Sequence, residues 1–250
     1  MNTEPRIDVL AAALADRSRS TIVCALMDGR AYTAKELAYR ARVTPQTASF
    51  HLQRLVDSGL LTCHPQGRHR YYHVTGPEIA SAVESMMVAA PTDHLRRHKA
   101  RASEDVLSAR HCYDHLAGRL GVAVADRIAE LGCVLSRGGD FSLTPQGIKW
   151  LADIGIDPEG LGKGRRPLMK QCMDWTERRC HVAGELGAAL LDHFRADGWL
   201  KPVADTRALA VTPKGQELFR SKMGIDAYTA MRDPEQVHGD GTASKGAAAP

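Results

Sequence analysis

Two short clusters in the second half of this 250-residue chain gather side chains able to do chemistry. The first is Cys112-Tyr113-Asp114-His115. The second runs Cys172-Met173-Asp174-Trp175-Thr176-Glu177-Arg178-Arg179-Cys180-His181. Each joins a Cys-x-Asp to a histidine at the expected start of a helix, with a longer gap in the second. Cysteine and histidine are soft and borderline ligands. Cys112 and His115, one helical turn apart, with the adjacent Cys180 and His181, could hold zinc or another soft metal. A cysteine close to Arg178, Arg179 or His181 at a helix start would instead have a lowered pKa and react as a thiolate. Trp175 and the histidines could also line a pocket for an organic molecule. A structural reading stands beside these three: cysteine is often a small core residue, and Asp, Arg and His can form a buried bridge between two halves. The residue types leave all four open.

The elements around these clusters are duplicated. His115-Leu-Ala-Gly-Arg-Leu-Gly-Val-Ala-Val-Ala-Asp126 aligns with His181-Val-Ala-Gly-Glu-Leu-Gly-Ala-Ala-Leu-Leu-Asp192, with His, Ala, Gly, Leu, Gly, Ala and Asp shared. Downstream, Leu143-Thr-Pro-Gln-Gly147 returns as Val211-Thr-Pro-Lys-Gly215, and Gly155-Ile156-Asp157 as Gly224-Ile225-Asp226. A drifting offset is what small loop insertions produce. Each copy reads as a helix bearing His-x-Ala-Gly, two short strands, and a helix capped by Thr-Pro. The strands are Cys133 to Ser136 with Phe141 to Thr144, and Trp199 to Pro202 with Ala208 to Thr212. Glycine costs about 1 kcal/mol inside a helix, so Gly118, Gly121, Gly184 and Gly187 imply close packing or a ligand against that face. Two winged-helix-like halves about a pseudo-two-fold axis are expected, with the two cluster entrances facing one another. Pro158 to Pro167 reads as a mobile loop.

The first ninety residues carry a different pattern. Thr33-Ala-Lys-Glu36 is a capping box opening a helix with Leu37, Ala38 and Ala41 at helical spacing. Thr44-Pro45 opens a second helix, with a hydroxyl at the N-cap and proline where its missing N–H costs nothing. Ala48, Leu52, Leu55 and Val56 share its inner face, and Gly59 ends it. Two strands then flank Pro65-Gln66-Gly67-Arg68. Two short helices and a tight turn lay side chains into a DNA major groove. The candidates for contact are Thr44, Gln46, Thr47, Ser49, Phe50, His51, Gln53 and Arg54 on the second helix, with Arg68 and Arg70 on the hairpin. Arg30, Lys35, Arg40, Arg42, Arg54, Arg68 and Arg70 stand against Glu36 and Asp57 between Arg30 and Val74, which concentrates positive charge there.

The run Leu14-Ala15-Asp16, Arg19 and Ile22, then Leu37-Ala38, Ser49-Phe50-His51-Leu52, Leu55, Ser58-Gly59-Leu60-Leu61, Gly67-Arg68 and Tyr71-Tyr72 resembles the winged-helix repressors of the ArsR family. The resemblance covers roughly the first ninety residues. It implies a bacterial regulator that binds a double-stranded operator as a homodimer on an imperfect palindrome. The helices pairing the subunits would carry the apolar stripes Ile7, Leu10, Ala11, Leu14 and Ile79, Val83, Met86, Met87, Ala90. Where many members carry a polar residue this chain has Phe50, suited to a thymine methyl. Metal-sensing members often place cysteines in the helix occupied here by Ala34 to Ala41, which has none. Others place Asp/His sets after the wing, where Asp93, His94 and His98 form only a fragment. Long members also carry Cys-x-Asp and Asp-Trp-x-Glu-Arg-Arg-x-His patterns.

Composition narrows the class. A chain that is 44% hydrophobic with formal charge +4 can build two cores, and its net charge alone does not argue for nucleic acid. No signal peptide or membrane-length apolar run is visible, and six scattered cysteines do not form a secreted disulfide framework. A cytoplasmic protein is expected. The expected fold is mostly α with small β-hairpins (α+β). A winged helix-turn-helix and dimer domain spans 1–92 and a helical connector 93–110. A duplicated effector or dimer domain spans 111–231 (repeats 111–157 and 172–226), and a disordered tail 232–250. The expected function is an effector-responsive repressor whose C-terminal part senses a metal, a thiol-reactive species or a small molecule. The sequence holds no nucleophile elbow, oxyanion loop or phosphate loop, so no enzyme is expected. The alternatives are a cysteine-dependent hydrolase or redox protein using Cys112 or Cys172 with His115 or His181, and a protein-interaction adaptor.

Overall fold

The computed structural model describes residues 4–91, 101–137, 140–164 and 166–232. The chain opens with α1 (Ile7–Leu14), α2 (Arg17–Leu26), β1 (Tyr32–Thr33), α3 (Ala34–Ala41), α4 (Pro45–Asp57), β2 (Leu61–Gln66), β3 (His69–Val74) and α5 (Pro77–Ala89). The capping box forms: Thr33 Oγ1 accepts from the Glu36 amide and Glu36 accepts from the Thr33 amide. Thr44 Oγ1 likewise accepts from the Thr47 amide at the start of α4. Gly59 follows α4 with φ +78°, the left-handed conformation that glycine takes without strain. The three strands lie antiparallel in the order β1-β3-β2. Ile22, Leu26, Met27, Leu37, Leu52 and Leu55 are fully buried beneath them. This is a winged helix-turn-helix.

The rest comprises α6 (Arg101–Ser108), β4 (Arg110–Cys112), β5 (His115–Ala117), α7 (Arg119–Glu130), β6 (Val134–Arg137), β7 (Asp140–Leu143) and α8 (Pro145–Ile154). It continues with β8 (Lys170–Met173), β9 (Cys180–Ala183), α9 (Gly184–Ala196), β10 (Leu200–Pro202), β11 (Leu209–Val211), α10 (Pro213–Met223) and α11 (Ala227–Ala230). The Thr-Pro caps form, Thr144 Oγ1 accepting from the Gly147 amide and Thr212 Oγ1 from the Gly215 amide. Expectation and structure part at the clusters. The two histidines do not start helices. They lie on strands of hairpins β4–β5 and β8–β9, so the order in each segment is hairpin, helix, hairpin, helix. Gly118 (φ +81°) and Gly184 (φ +86°) end these strands and turn the chain into α7 and α9. Residues 93–100 of the expected connector, with Asp93, His94 and His98, and the tail from 233 lie outside the described residues. The loop expected to be mobile is anchored: Glu185 Oε2 accepts from the Gly162 amide, and Arg166 binds Asp114. Among the described residues no helix is long and apolar enough to cross a membrane.

The two segments interlock. α7 packs against β9 and α9 against β5, over a shared core that includes Leu120, Ile128, Leu151, Leu186, Phe194, Trp199 and Phe219. Phe194 stacks on Trp199 and Phe219 meets both rings edge-on, with centroids 4.9 to 5.0 Å apart. Matched glycines make the approach: a Cβ on Gly121 would meet Leu116 O at 2.6 Å and His181 Cβ at 3.6 Å. One on Gly187 would meet Val182 O at 2.4 Å and His115 Cβ at 3.1 Å. Backbone cannot give way as a flexible side chain can. Gly121→Ala and Gly187→Ala should therefore each lose about 1–3 kcal/mol in chemical denaturation, despite alanine's better helix propensity. Gly160→Ala, in open space, should be close to neutral.

Candidate DNA-binding face and Cys-His cluster

The outer face of α4 presents Gln46, Thr47, Ser49, Phe50, Gln53 and Arg54 to solvent, with Thr44 at its cap. Phe50 is 57% exposed, and the Arg54 guanidinium stacks 4.8 Å over its ring. Ser49 Oγ donates to Pro45 O, and Gln53 donates to Asp57. Arg68 and Arg70 are exposed at the wing, where Gly67 (φ +58°) and Arg68 form the turn between paired Gln66 and His69. His51 departs from this set. It is buried, three residues after Ala48 and four before Leu55 on the inner face, 3.8 Å from Asp16. Two of the basic residues are spent elsewhere: Arg30 pairs with Asp28 at 2.7 Å, and Arg40 lies over Tyr32 and 3.7 Å from Asp205. The cationic face is thus narrower than the sequence count suggests.

In the C-terminal part the hairpins set cysteine directly opposite histidine, Cys112 against His115 in β4–β5 and Cys172 against His181 in β8–β9. The hairpins meet so that Cys112 Sγ is 3.8 Å from Cys172 Sγ, and His115 Nε2 is 3.1 Å from His181 Nε2. The other ring nitrogens face carboxylates. His115 Nδ1 is 3.1 Å from Asp114 Oδ1, and His181 Nδ1 is 3.3 Å from Asp174 Oδ2. Each carboxylate is held by an arginine: Arg166 donates to both Asp114 oxygens, and Arg110 Nη2 donates to Asp174 Oδ1 at 2.8 Å. Arg110 and Asp174 are both fully buried.

Four expected site residues lie apart from this cluster. Cys180 precedes His181 on a strand, where neighbouring side chains point to opposite faces, so the pairing of Cys180 with His181 as ligands is not formed. Cys172 occupies that place. Trp175 lies under the Arg110 guanidinium at 4.4 Å. Arg178 donates to Val88 O, and Arg179 to Asp126. Arg110 and Arg166 were missed, because their partners lie 64 and 52 residues away with no local signal.

The charges are strongly shaped. Burial would push the Asp174 carboxyl up, but His181, Arg110, Thr176 and the Gly118 amide hold it well below the usual carboxylate range. Burial pulls His181 down, yet Asp174 and Cys172 push it up to about 9. The Cys112 thiol, against the burial that opposes it, and then the two histidines hold Cys172 far below an ordinary thiol. Burial, then Cys172, pushes Cys112 up. Cys172 is therefore the more acidic thiol of the pair.

The hairpin tip reaches the DNA-binding domain. The Tyr113 amide, between Cys112 and His115, donates to Met27 O at the end of α2, and the Tyr113 ring packs on that domain's core. A Cβ on Gly29 would lie 2.7 Å from Tyr113 O. Buried Glu84 of α5 pairs with Arg207 at 3.1 Å, and Lys170 donates to Ser81.

A winged helix-turn-helix with an exposed second helix defines a nucleic-acid-binding class, and similarity to known proteins agrees. Residues 14–64 match the family described as Helix-turn-helix domain. The chain is 37% identical over 222 residues to the uncharacterized HTH-type transcriptional regulator YdfF of Bacillus subtilis (strain 168), spanning 88% of this chain and 98% of that protein. Among solved structures, it is similar to the homodimeric winged helix-turn-helix DNA-binding domain Mb0332 of Mycobacterium bovis (27% identity, 40% of this chain, 99% of that one, TM-score 0.32). It is also similar to reduced HlyU of Vibrio cholerae N16961 (24% identity, 34% of this chain, 90% of that one, TM-score 0.31). The chain belongs to the family of helix-turn-helix transcriptional regulators, and its first ninety residues have the winged fold expected from the ArsR resemblance.

Removing Asp174 would leave Arg110 buried without its counter-charge and the Gly118, Thr176 and Glu177 amides without an acceptor. Asp174→Ala should cost about 3–5 kcal/mol in chemical denaturation. Asp126→Ala, which breaks an exposed pair with Arg179, should cost no more than about 1 kcal/mol.

Proposed function

We propose that this protein is an ArsR-type repressor in the cytoplasm, binding a palindromic operator as a homodimer through α4 and the wing. The observation that carries the reading is the exposed set Gln46, Thr47, Ser49, Phe50, Gln53 and Arg54 on α4 together with exposed Arg68 and Arg70 on the wing. Thr44, Gln46, Thr47, Ser49, Gln53 and Arg54 can reach phosphates or base edges, and Phe50 suits a thymine methyl. Exposed Ile7 and Val9 on α1, with Met86 on α5, favour the pairing of two subunits through these outer helices. A two-fold dimer then offers two copies of α4 to half-sites about one duplex turn apart.

In this reading residues 111–231 are two duplicated, winged-helix-like halves forming an effector domain, and the effector acts at the interface of β4–β5 with β8–β9. The supporting observation is the placement of Tyr113. It lies in the turn between Cys112 and His115 of the cluster, while its amide holds the end of α2, which packs on α3 and α4. An effector that changes the hairpin geometry would shift the dimer between operator-matched and mismatched spacings.

The test is fluorescence anisotropy on operator DNA selected from a random pool. If a dimer neutralises about 6–8 phosphates, affinity should fall on the order of a thousandfold between about 50 and 200 mM salt. Arg68→Ala with Arg70→Ala should weaken binding to all sequences alike. Gln46→Ala or Thr47→Ala should change preference at defined positions by about 1–3 kcal/mol. A flat salt profile, or wing variants that alter base preference while helix variants do not, would contradict the assignment.

A further inference from the structure

Cys112, His115, Cys172 and His181 offer four ligand atoms that all lie within 4.8 Å of one another. Metal–sulfur bonds of about 2.3 Å and metal–nitrogen bonds of about 2.0–2.1 Å about a tetrahedral zinc-like ion give edges of about 3.8 Å between sulfurs and about 3.3 Å between nitrogens. The measured separations are 3.8 Å for the sulfurs and 3.1 Å for the nitrogens. A disulfide needs its sulfurs at about 2.05 Å, so the thiols stand at the spacing of co-ligands rather than of a bond.

The backs of the histidines point the same way. Asp114 and Asp174 are carboxylates held by Arg166 and Arg110, and a carboxylate only accepts. Each Nδ1 facing one can carry a ring hydrogen, which leaves the two Nε2 atoms facing one another across 3.1 Å. Two ring nitrogens so placed in a buried site need a positive charge between them, either a proton on one Nε2 or a metal ion that displaces it. A histidine oriented by a carboxylate on its far nitrogen is the usual support of a metal ligand.

We propose that Cys112, His115, Cys172 and His181 form a tetrahedral two-sulfur, two-nitrogen site for zinc or a chemically similar divalent ion, with two ligands from each hairpin. On binding, the divalent ion takes both sulfurs as thiolates and both Nε2 lone pairs, the protons displaced from thiol and imidazole leave to solvent, and no electron is transferred. The two thiolates neutralise the ion, and four protein ligands close the coordination sphere. The site deepens the effector-domain reading and rests on it only for its regulatory use, since the ion would clamp β4–β5 to β8–β9 behind Tyr113.

The experiment uses the full chain, stripped by chelator under anaerobic reducing conditions and titrated with cobalt(II). One cobalt per chain should bind, with the intense visible bands of tetrahedral coordination and a sulfur-to-cobalt charge-transfer band, all removed by added zinc. Cys172→Ser, at the least buried ligand, should lose one of the two sulfur contributions, and Cys180→Ser should leave the spectrum unchanged. X-ray absorption of the zinc-loaded wild-type chain should count two sulfurs and two nitrogens, which needs no variant to fold. A weak octahedral spectrum without charge transfer would overturn the site. So would a spectrum indifferent to Cys172→Ser or abolished by Cys180→Ser. If the cobalt spectrum forms as expected while the same protein binds no DNA, the site stands and the repressor reading alone falls.

Discussion

Asp174 is a carboxylate without access to water, and such a group is tolerable only when its charge and lone pairs are fully met. Arg110 supplies the counter-charge from β4, and the Gly118 amide donates from the start of α7. The Thr176 amide and hydroxyl and the Glu177 amide donate from its own turn, and His181 approaches from β9. These partners come from both halves of the C-terminal domain. The carboxylate thus fixes where β8–β9 sits against β4–β5, and with it the separation of the two cysteines and the two histidines.

That constraint extends outward. Trp175 is held as a platform for Arg110, so the longer turn of the second hairpin covers the buried pair. The shorter turn of the first hairpin is free to do something else, and Tyr113 at its tip docks on the end of α2. Glu84 and Arg207 add a second buried ion pair across the same boundary. A change at the cluster therefore has short physical routes to the helices that support α4. In the proposed function, coupling through such contacts would be reciprocal: what alters the hairpins would alter DNA binding, and DNA binding would alter the hairpins.

Much of the fold was legible in local sequence because caps and turns are local chemistry. The Thr33/Glu36 box, Thr44-Pro45, Thr144-Pro145, Thr212-Pro213 and Gly59 each mark a boundary that the structure keeps. The first strand-pairs of each C-terminal half were misread because three or four residues are too few to separate a two-residue period from a 3.6-residue one. That error placed Cys180 beside His181, where strand alternation puts Cys172 across from it. The inner position of His51 was readable from its spacing to Ala48 and Leu55. Arg110, Arg166 and Arg207 were not readable, since each finds its carboxylate through tertiary packing alone.

Amide hydrogen exchange with and without operator DNA tests the central claim that reader and hairpin pair form one coupled unit. The account predicts slower exchange in the DNA complex at α4 and the wing, and also at the amides of Tyr113 and Gly118, which bond to Met27 and Asp174. Protection confined to α4 and the wing, with Tyr113 and Gly118 exchanging at unchanged rates, would contradict it.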